Sequence, residues 1–323
     1  MPFLKCLKTL AIIPALFLVA TAPPADPQKR ETLESLLALD VATAKIGYRI
    51  VTANAALCDQ RIPASGMLLH GIEQYGGEYR EAAARVFGLG EAPGVAAVLP
   101  GSPAAEAGVR AGDAVLAING EAPATIASRQ GKGDFDRMAL VLDQFEGALA
   151  AGPVTLDVVR DGERRTLNFA GLPACASRFQ VQPSTELNAA ADGRYVQISS
   201  AFIGYFANDD EFAAIMAHEI AHNILRHRDR LDAQNIPRGF FSKFGKNAAR
   251  IRETEIEADR FSLKLLANAG FRMEAAPDFW RRFGPEHGYG IFSDATHLRW
   301  KKRVAMLEAE ITALRQSGAG SGA

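Results

Sequence analysis

The first clear pattern along the chain is a block. From Thr9 to Ala20 nearly every residue is apolar, with Lys5 and Lys8 before it and Ala20-Thr21-Ala22 at its end. A positive start, a short apolar run and a small-x-small site predict a cleaved export signal over residues 1–22. The alternative is an uncleaved anchor. That run would rise only about 20 Å at ~1.5 Å per residue, short of a bilayer core, and Pro14 interrupts it. Further on, Leu33, Leu36, Leu37, Val41, Ala44, Tyr48 and Val51 recur at three- and four-residue steps. This spacing predicts an amphipathic helix from Glu31 to Asn54, and a second helical stretch covers Tyr75 to Val86. Between Gly88 and Gly171 the texture changes to short alternating runs and glycine turns. Val95, Ala97 and Leu99 alternate, a helical segment spans Asp134 to Ala151, and Val154, Leu156 and Val158 lead into Asp161-Gly162. With Leu167 and Phe169 on the return, that pair predicts a hairpin.

Composition narrows the class. The chain has 323 residues, 48% hydrophobic and 23% charged, which excludes a wholly disordered or collagen-like protein and suggests about two domains. The 36 Lys+Arg and 37 Asp+Glu leave a net charge of -1, so no basic excess exists to hold nucleic acid by counterion release. Removal of the signal takes away Cys6 and leaves Cys58 and Cys175. Two cysteines in an exported chain are expected to pair as a disulfide bracketing the middle of the protein; two buried thiols are the alternative.

The middle block holds SPAAEAGVRAGDAVLAING from Ser102 to Gly120. This stretch resembles the central signature of PDZ domains of the bacterial protease type. Such domains add a peptide C-terminus as a strand beside a Gly-rich carboxylate loop. Gly88-Leu89-Gly90 is the expected loop. Only Glu91 to Gly94 separate it from the next strand, so the strand at the groove edge is expected to be missing. A domain that merely braces its neighbour is the alternative.

The chemistry lies downstream, in NDDEFAAIMAHEIAHNILRH from Asn208 to His227. Asn208 and Glu211 have the spacing of a capping box, and Phe212, Ile215, Met216, Ile220 and Ile224 have helical spacing. On that helix His218 and His222 stand at i and i+4, so both imidazoles can bind one metal, with Glu219 beside them as general base. A catalytic zinc needs a third protein ligand and an open position. The HExxHxxGxxH pattern would need a histidine where Arg228 stands; His227 comes one residue early, five after His222, and points elsewhere on the helix. Glu255 is the better candidate. It and Asp259 share one face of a second helix from Arg252 to Gly270, where Asp259 can accept a hydrogen bond from a ligand histidine. Glu253 and Glu257 are rivals for the ligand role, against the plainer reading of a solvated acidic face.

HEIAH at 218–222 followed by Glu255-Ile256-Glu257-Ala258-Asp259 resembles the zinc endopeptidases that include CAAX prenyl proteases, HtpX-like proteases and periplasmic BepA-like proteases. Glu186 to Ile198 resembles that family's edge strand, with Asn188 and Ala189 facing substrate. Thr296-His297 with Arg303 and Val304 resembles its late THPxxxxRI motif, with Leu298 in place of the proline. The resemblance implies that His297 approaches the zinc as an additional ligand, inhibitory or assisting, and that Arg303 stabilises the developing oxyanion. From the residues alone, these two are a helix-start histidine and a surface arginine. Between the metal helices, Arg228, Arg230, Arg238, Lys243 and Lys246 surround Phe240, Phe241 and Phe244, a mixture that suits a lid, contact with a membrane surface, or ordinary packing.

The expected architecture is therefore α+β: a zincin-type metalloprotease domain with an inserted, mostly-β PDZ-like domain. The boundaries read as signal peptide 1–22, N-terminal helical segment 23–87, PDZ-like domain 88–171, protease domain 172–316 and tail 317–323. The expected function is a periplasmic or secreted endopeptidase with one zinc per chain, acting on unfolded or misfolded polypeptides, with a peptide at the PDZ groove and no nucleic acid. The alternative is a latent, zinc-bound chaperone or PDZ adaptor of the cell envelope.

Overall fold

The computed structural model describes residues 25–125, 134–236, 245–287 and 298–318. The export signal, His297, the three phenylalanines of the basic-aromatic segment and the end of the tail lie outside them. Helix α1 spans Pro27–Ala53. It begins four residues before the apolar periodicity does, because Asp26 caps it, accepting from Gln28 N at 2.9 Å, and Pro27 supplies a preset first turn. Strands β1 (Arg61–Ala64) and β2 (Met67–His70) follow, then α2 (Tyr79–Phe87), β3 (Gly94–Val98), the short α3 (Pro103–Glu106) and β4 (Ala114–Ile118). Helix α4 (Asp136–Ala151) leads to the hairpin β5 (Val154–Arg160) and β6 (Glu163–Phe169), which turns at Asp161 and Gly162, both with φ > 0 as that tight turn requires. The chain continues through β7 (Leu172–Cys175), β8 (Arg178–Gln182), β9 (Ala189–Ala191), β10 (Tyr195–Ser199) and α5 (Ser200–Tyr205). Helices α6 (Asp209–Ile224), α7 (His227–Ala233), α8 (Gly245–Asn268), α9 (Ala275–His287) and α10 (Trp300–Gln316) complete it. The fold is mixed α+β. None of the described helices is long and apolar enough to cross a membrane.

The middle unit is a five-stranded antiparallel sheet in the order β2-β3-β4-β5-β6. Its core gathers Val95, Val115, Ile118, Phe145, Leu156 and Val158. Two expectations need correction here. The sheet does not start at residue 88: its outer strand is β2, paired with β3 from Met67↔Val98 to His70↔Gly94. The edge strand expected to be missing is therefore present, and it comes from the segment assigned to the N-terminal helices. Likewise, Gly88 only ends α2 in a left-handed turn. The loop that precedes the edge strand is Ala64-Ser65-Gly66, where Gly66 takes φ 74 and a Cβ would strike the Ser102 side chain.

The unit enters and leaves through one seam. β1 pairs antiparallel with β7, Arg61 opposite Cys175, and Cys175 is bonded to Cys58 with their Cα atoms 5.4 Å apart. On the chain-entropy account, closing a loop of this length stabilises the fold by about 4 to 5 kcal/mol. A buried arginine makes the second tie. Arg178 on β8 donates to both Glu146 oxygens at 2.7 Å and to Asp143 at 2.6 Å on α4, and to Tyr195 on β10 at 2.8 Å. Its side chain is 7% exposed. Between α1, β2 and α4 lies a cavity of about 240 Å³, bordered by Asp40, Tyr48, Met67, Leu69, His70 and Phe145.

The second core holds the helices. It joins Ile46 and Ile50 of α1, Val196 and Ile198 of β10, and Phe212, Met216 and Ile220 of α6. Leu263 of α8, Phe279 and Phe283 of α9 and Leu307 of α10 close it. Beside it, the three-stranded sheet runs β8-β10-β9, with β9 at the edge.

Replacing Arg178 by Ala leaves Glu146 facing a partly buried site without its partner; we expect a loss of about 3 kcal/mol in a urea or thermal unfolding measurement. Asp40 gives a pH signature. Burial raises its carboxyl from an ordinary 3.8 to about 6, against a lowering hydrogen bond from the Val181 backbone. A raised carboxyl favours the folded state while protonated, so that contribution is complete below about pH 4 and is lost as pH rises through about 6. Asp40→Asn should therefore be more stable than the natural protein by about 2 kcal/mol at pH 8 and equal to it near pH 4, in melts taken across that range.

Candidate active site

Helix α6 is the axis of the site. Asn208 caps it, accepting from Glu211 N at 3.0 Å, while Glu211 accepts from Ala207 N at 3.0 Å, one residue ahead of the cap that a regular capping box would use. Glu211 is buried and is paired by Arg282 of α9. The helix is buried along almost its whole length, and it packs on α8. Its far end is tied to the sheet. Asn223 accepts from Gly193 N at 2.8 Å and donates to Ser177 at 3.1 Å, while Arg228 donates to the Asp192 carbonyl at 2.7 Å. These bonds set the β9–β10 turn beside the histidines.

His218, His222 and Glu255 come together, with one ligand atom from each lying within 4.8 Å of the others. His218 Nε2 is 3.3 Å from Glu255 Oε2, His222 Nε2 is 3.5 Å from Glu255 Oε1, and the two Nε2 atoms are 3.2 Å apart. Both Nε2 atoms thus face one point, and each Nδ1 faces a partner: Asp259 Oδ1 at 2.9 Å for His218 and His227 Nδ1 at 2.9 Å for His222. Two oriented imidazoles and one carboxylate make the three-ligand donor set of a catalytic zinc centre that keeps an open position. Glu253 is exposed and is not among the residues that converge there. Glu257, about 200° from Asp259 around α8, bonds His227 at 3.2 Å and Arg230 at 2.9 Å. It is therefore neither the third ligand nor part of a merely solvated face.

The electrostatics follow from burial and pairing. Burial opposes a charge on His218, but the Asp259 and Glu255 carboxylates outweigh it and raise its pKa to about 10. Burial pushes the Asp259 carboxyl up, while Arg303 and His218 hold it below the usual range. Burial, then the neighbouring His222, lowers His227 to about 4. Arg303 is not a surface residue: it is 3% exposed, its Nη2 donates to Asp259 at 2.5 Å, and its guanidinium lies 3.9 Å over the Trp280 ring. The cleft above the site has a volume of about 300 Å³. Asn188 to Ala191, Glu219, Trp280 and Arg303 line it together with the three candidate ligands. The edge strand is β9 itself; β10, the later part of the stretch from Glu186 to Ile198, lies at the centre of its sheet.

A family model described as peptidase family M48 matches residues 157–238, and one described as PDZ domain matches residues 94–130. The chain carries an M48 peptidase domain and a PDZ domain. The M48 match opens within β5, which folds with the PDZ sheet, and ends before α8, so Glu255 is placed by the geometry alone. A putative beta-barrel assembly-enhancing protease of Vibrio cholerae is 30% identical over 125 residues, covering 30% of this chain and 26% of its own. The mitochondrial metalloendopeptidase OMA1 of Schizosaccharomyces pombe is 29% identical over 121 residues, covering 31% of this chain and 36% of its own. The chain thus spans about a quarter to a third of the length of these curated relatives.

The sequence reading missed His227 and the Asp259–Arg303 pair. A histidine five residues after His222 was a visible signal, but a straight helix would set it about 140° away. A divalent cation bound by His218 competes with the proton that Asp259 and Glu255 favour there, so its affinity should rise with pH, measured by chelator competition on the metal-free protein.

Proposed function

We propose that this protein is an exported zinc endopeptidase that cleaves unfolded or misfolded polypeptides of the cell envelope. The observation that carries the reading is the convergence of His218, His222 and Glu255 in one cleft with Glu219. Zinc held by those three residues would act as a Lewis acid and bring the pKa of water down toward ~7. Glu219 takes the proton of the attacking water and passes it to the leaving amine. Asp259 fixes the His218 ring, and Arg303 places a positive charge at the cleft where the carbonyl oxygen becomes negative. His297 belongs to the same reading as a further ligand.

The substrate lies extended along β9, the edge strand of its sheet among the described residues, next to Asn188 and Ala189, held by backbone pairing. Such pairing selects extended chain rather than particular side chains, which suits unfolded substrates. The groove between β2 and α4 receives a peptide terminus in the same manner, next to the Ser65-Gly66 loop. Export agrees with the Cys58–Cys175 disulfide, since such bonds persist in oxidising compartments.

Glu219→Gln should keep its metal and lose cleavage of unfolded casein by about a thousandfold, read by mass spectrometry of the fragments. Turnover at the natural rate in that variant would refute the mechanism, and zinc binding without turnover in the natural protein would favour the latent form.

A further inference from the structure

The M48 reading uses His218, His222, Glu255 and Glu219, and it leaves a second buried histidine unexplained. His227 is 2% exposed, and both of its ring nitrogens are engaged. Nδ1 lies 2.9 Å from Nδ1 of His222, and Nε2 lies 3.2 Å from Oε2 of Glu257, which also accepts from Arg230 Nη1 at 2.9 Å. The two Nδ1 atoms face each other, so one must carry the proton and the other the lone pair. His222 Nε2 points at Glu255 and His218, where a ligand lone pair is needed, and this puts the His222 proton on Nδ1. His227 Nδ1 is then the acceptor, its own proton sits on Nε2, and Glu257 receives it. Each bond in the row sets the tautomer of the next.

The backbone supports the same conclusion. Between α6 and α7, Arg226 adopts φ 53 and ψ 40, a left-handed conformation that costs a non-glycine residue about 1 kcal/mol or more. That break starts the next helix at His227 and turns its ring back onto His222. Asp259 performs the corresponding task for His218 from the other helix, at 2.9 Å.

We propose that His227 is a positioning residue of the metal centre, which fixes the ring plane and tautomer of His222 and is itself held by Glu257 and Arg230. The proposal rests on the reading of His222 as a ligand. Cobalt(II) added to metal-free protein tests it, with affinity measured by chelator competition and geometry by the visible absorption spectrum. His227→Leu should lose about 10- to 100-fold in affinity and change the cobalt spectrum. His227→Gln, which retains one acceptor and one donor, should recover most of that loss. Glu257→Ala alters a partly exposed side chain and should weaken binding about fivefold, so it decides the matter if His227→Leu does not fold. Natural affinity and spectrum in His227→Leu, or equal losses in the Leu and Gln variants, would overturn the proposal. His222→Ala is the control. If it binds cobalt as the natural protein does, the ligand reading itself fails; if it alone loses binding, only the role of His227 fails.

Discussion

The site depends on keeping polar ligands oriented inside an apolar core. His218 is almost fully buried and His222 mostly so, on a helix whose apolar positions are Phe, Ala, Ile and Met. Burying such groups is costly unless each finds a partner. The structure meets that constraint twice, through Asp259 for one histidine and His227 for the other. The partners are themselves held, Asp259 by Arg303 and His227 by Glu257 with Arg230. Orientation therefore spreads outward from α6 through α8 to α10, and α9 contributes Trp280 beneath the Arg303 guanidinium. The helices after α6 act as the frame that keeps two imidazoles facing one carboxylate.

The same economy governs the join between the two units. The PDZ sheet meets the M48 domain through a paired strand seam, a disulfide and a buried arginine network. Helix α1 belongs to both sides: it packs on α6 and also walls the cavity next to β2. The active-site helix and the PDZ edge strand thus have a common neighbour. A rigid seam of this kind places the groove at a set position with respect to the cleft, which a flexible linker would not do.

Much of this was legible in one dimension. The HEIAH spacing needs only the helical period to bring two histidines to one face, and Glu255 with Asp259 obeys the same rule. Alternation and the Asp161-Gly162 turn gave the hairpin, and Ser102 to Gly120 marked the PDZ unit. Asp113 of that stretch is structural: it is fully buried and holds Arg160 at 2.6 and 2.7 Å.

What the sequence by itself determined were features with a short period: helix faces, a tight turn, and the identity of the residues able to bind a metal. Tertiary structure alone decided where the chain breaks its own period or pairs across a gap. Strand β2 joins β3 across an intervening helix, so the glycine loop nearest in sequence was the wrong one. His227 reaches His222 only because Arg226 leaves the helical region. Arg303 meets Asp259 from 44 residues away, a distance over which no local periodicity carries information. Local propensity is written residue by residue, whereas the partner of a buried charge is chosen by whichever elements the two cores bring against it.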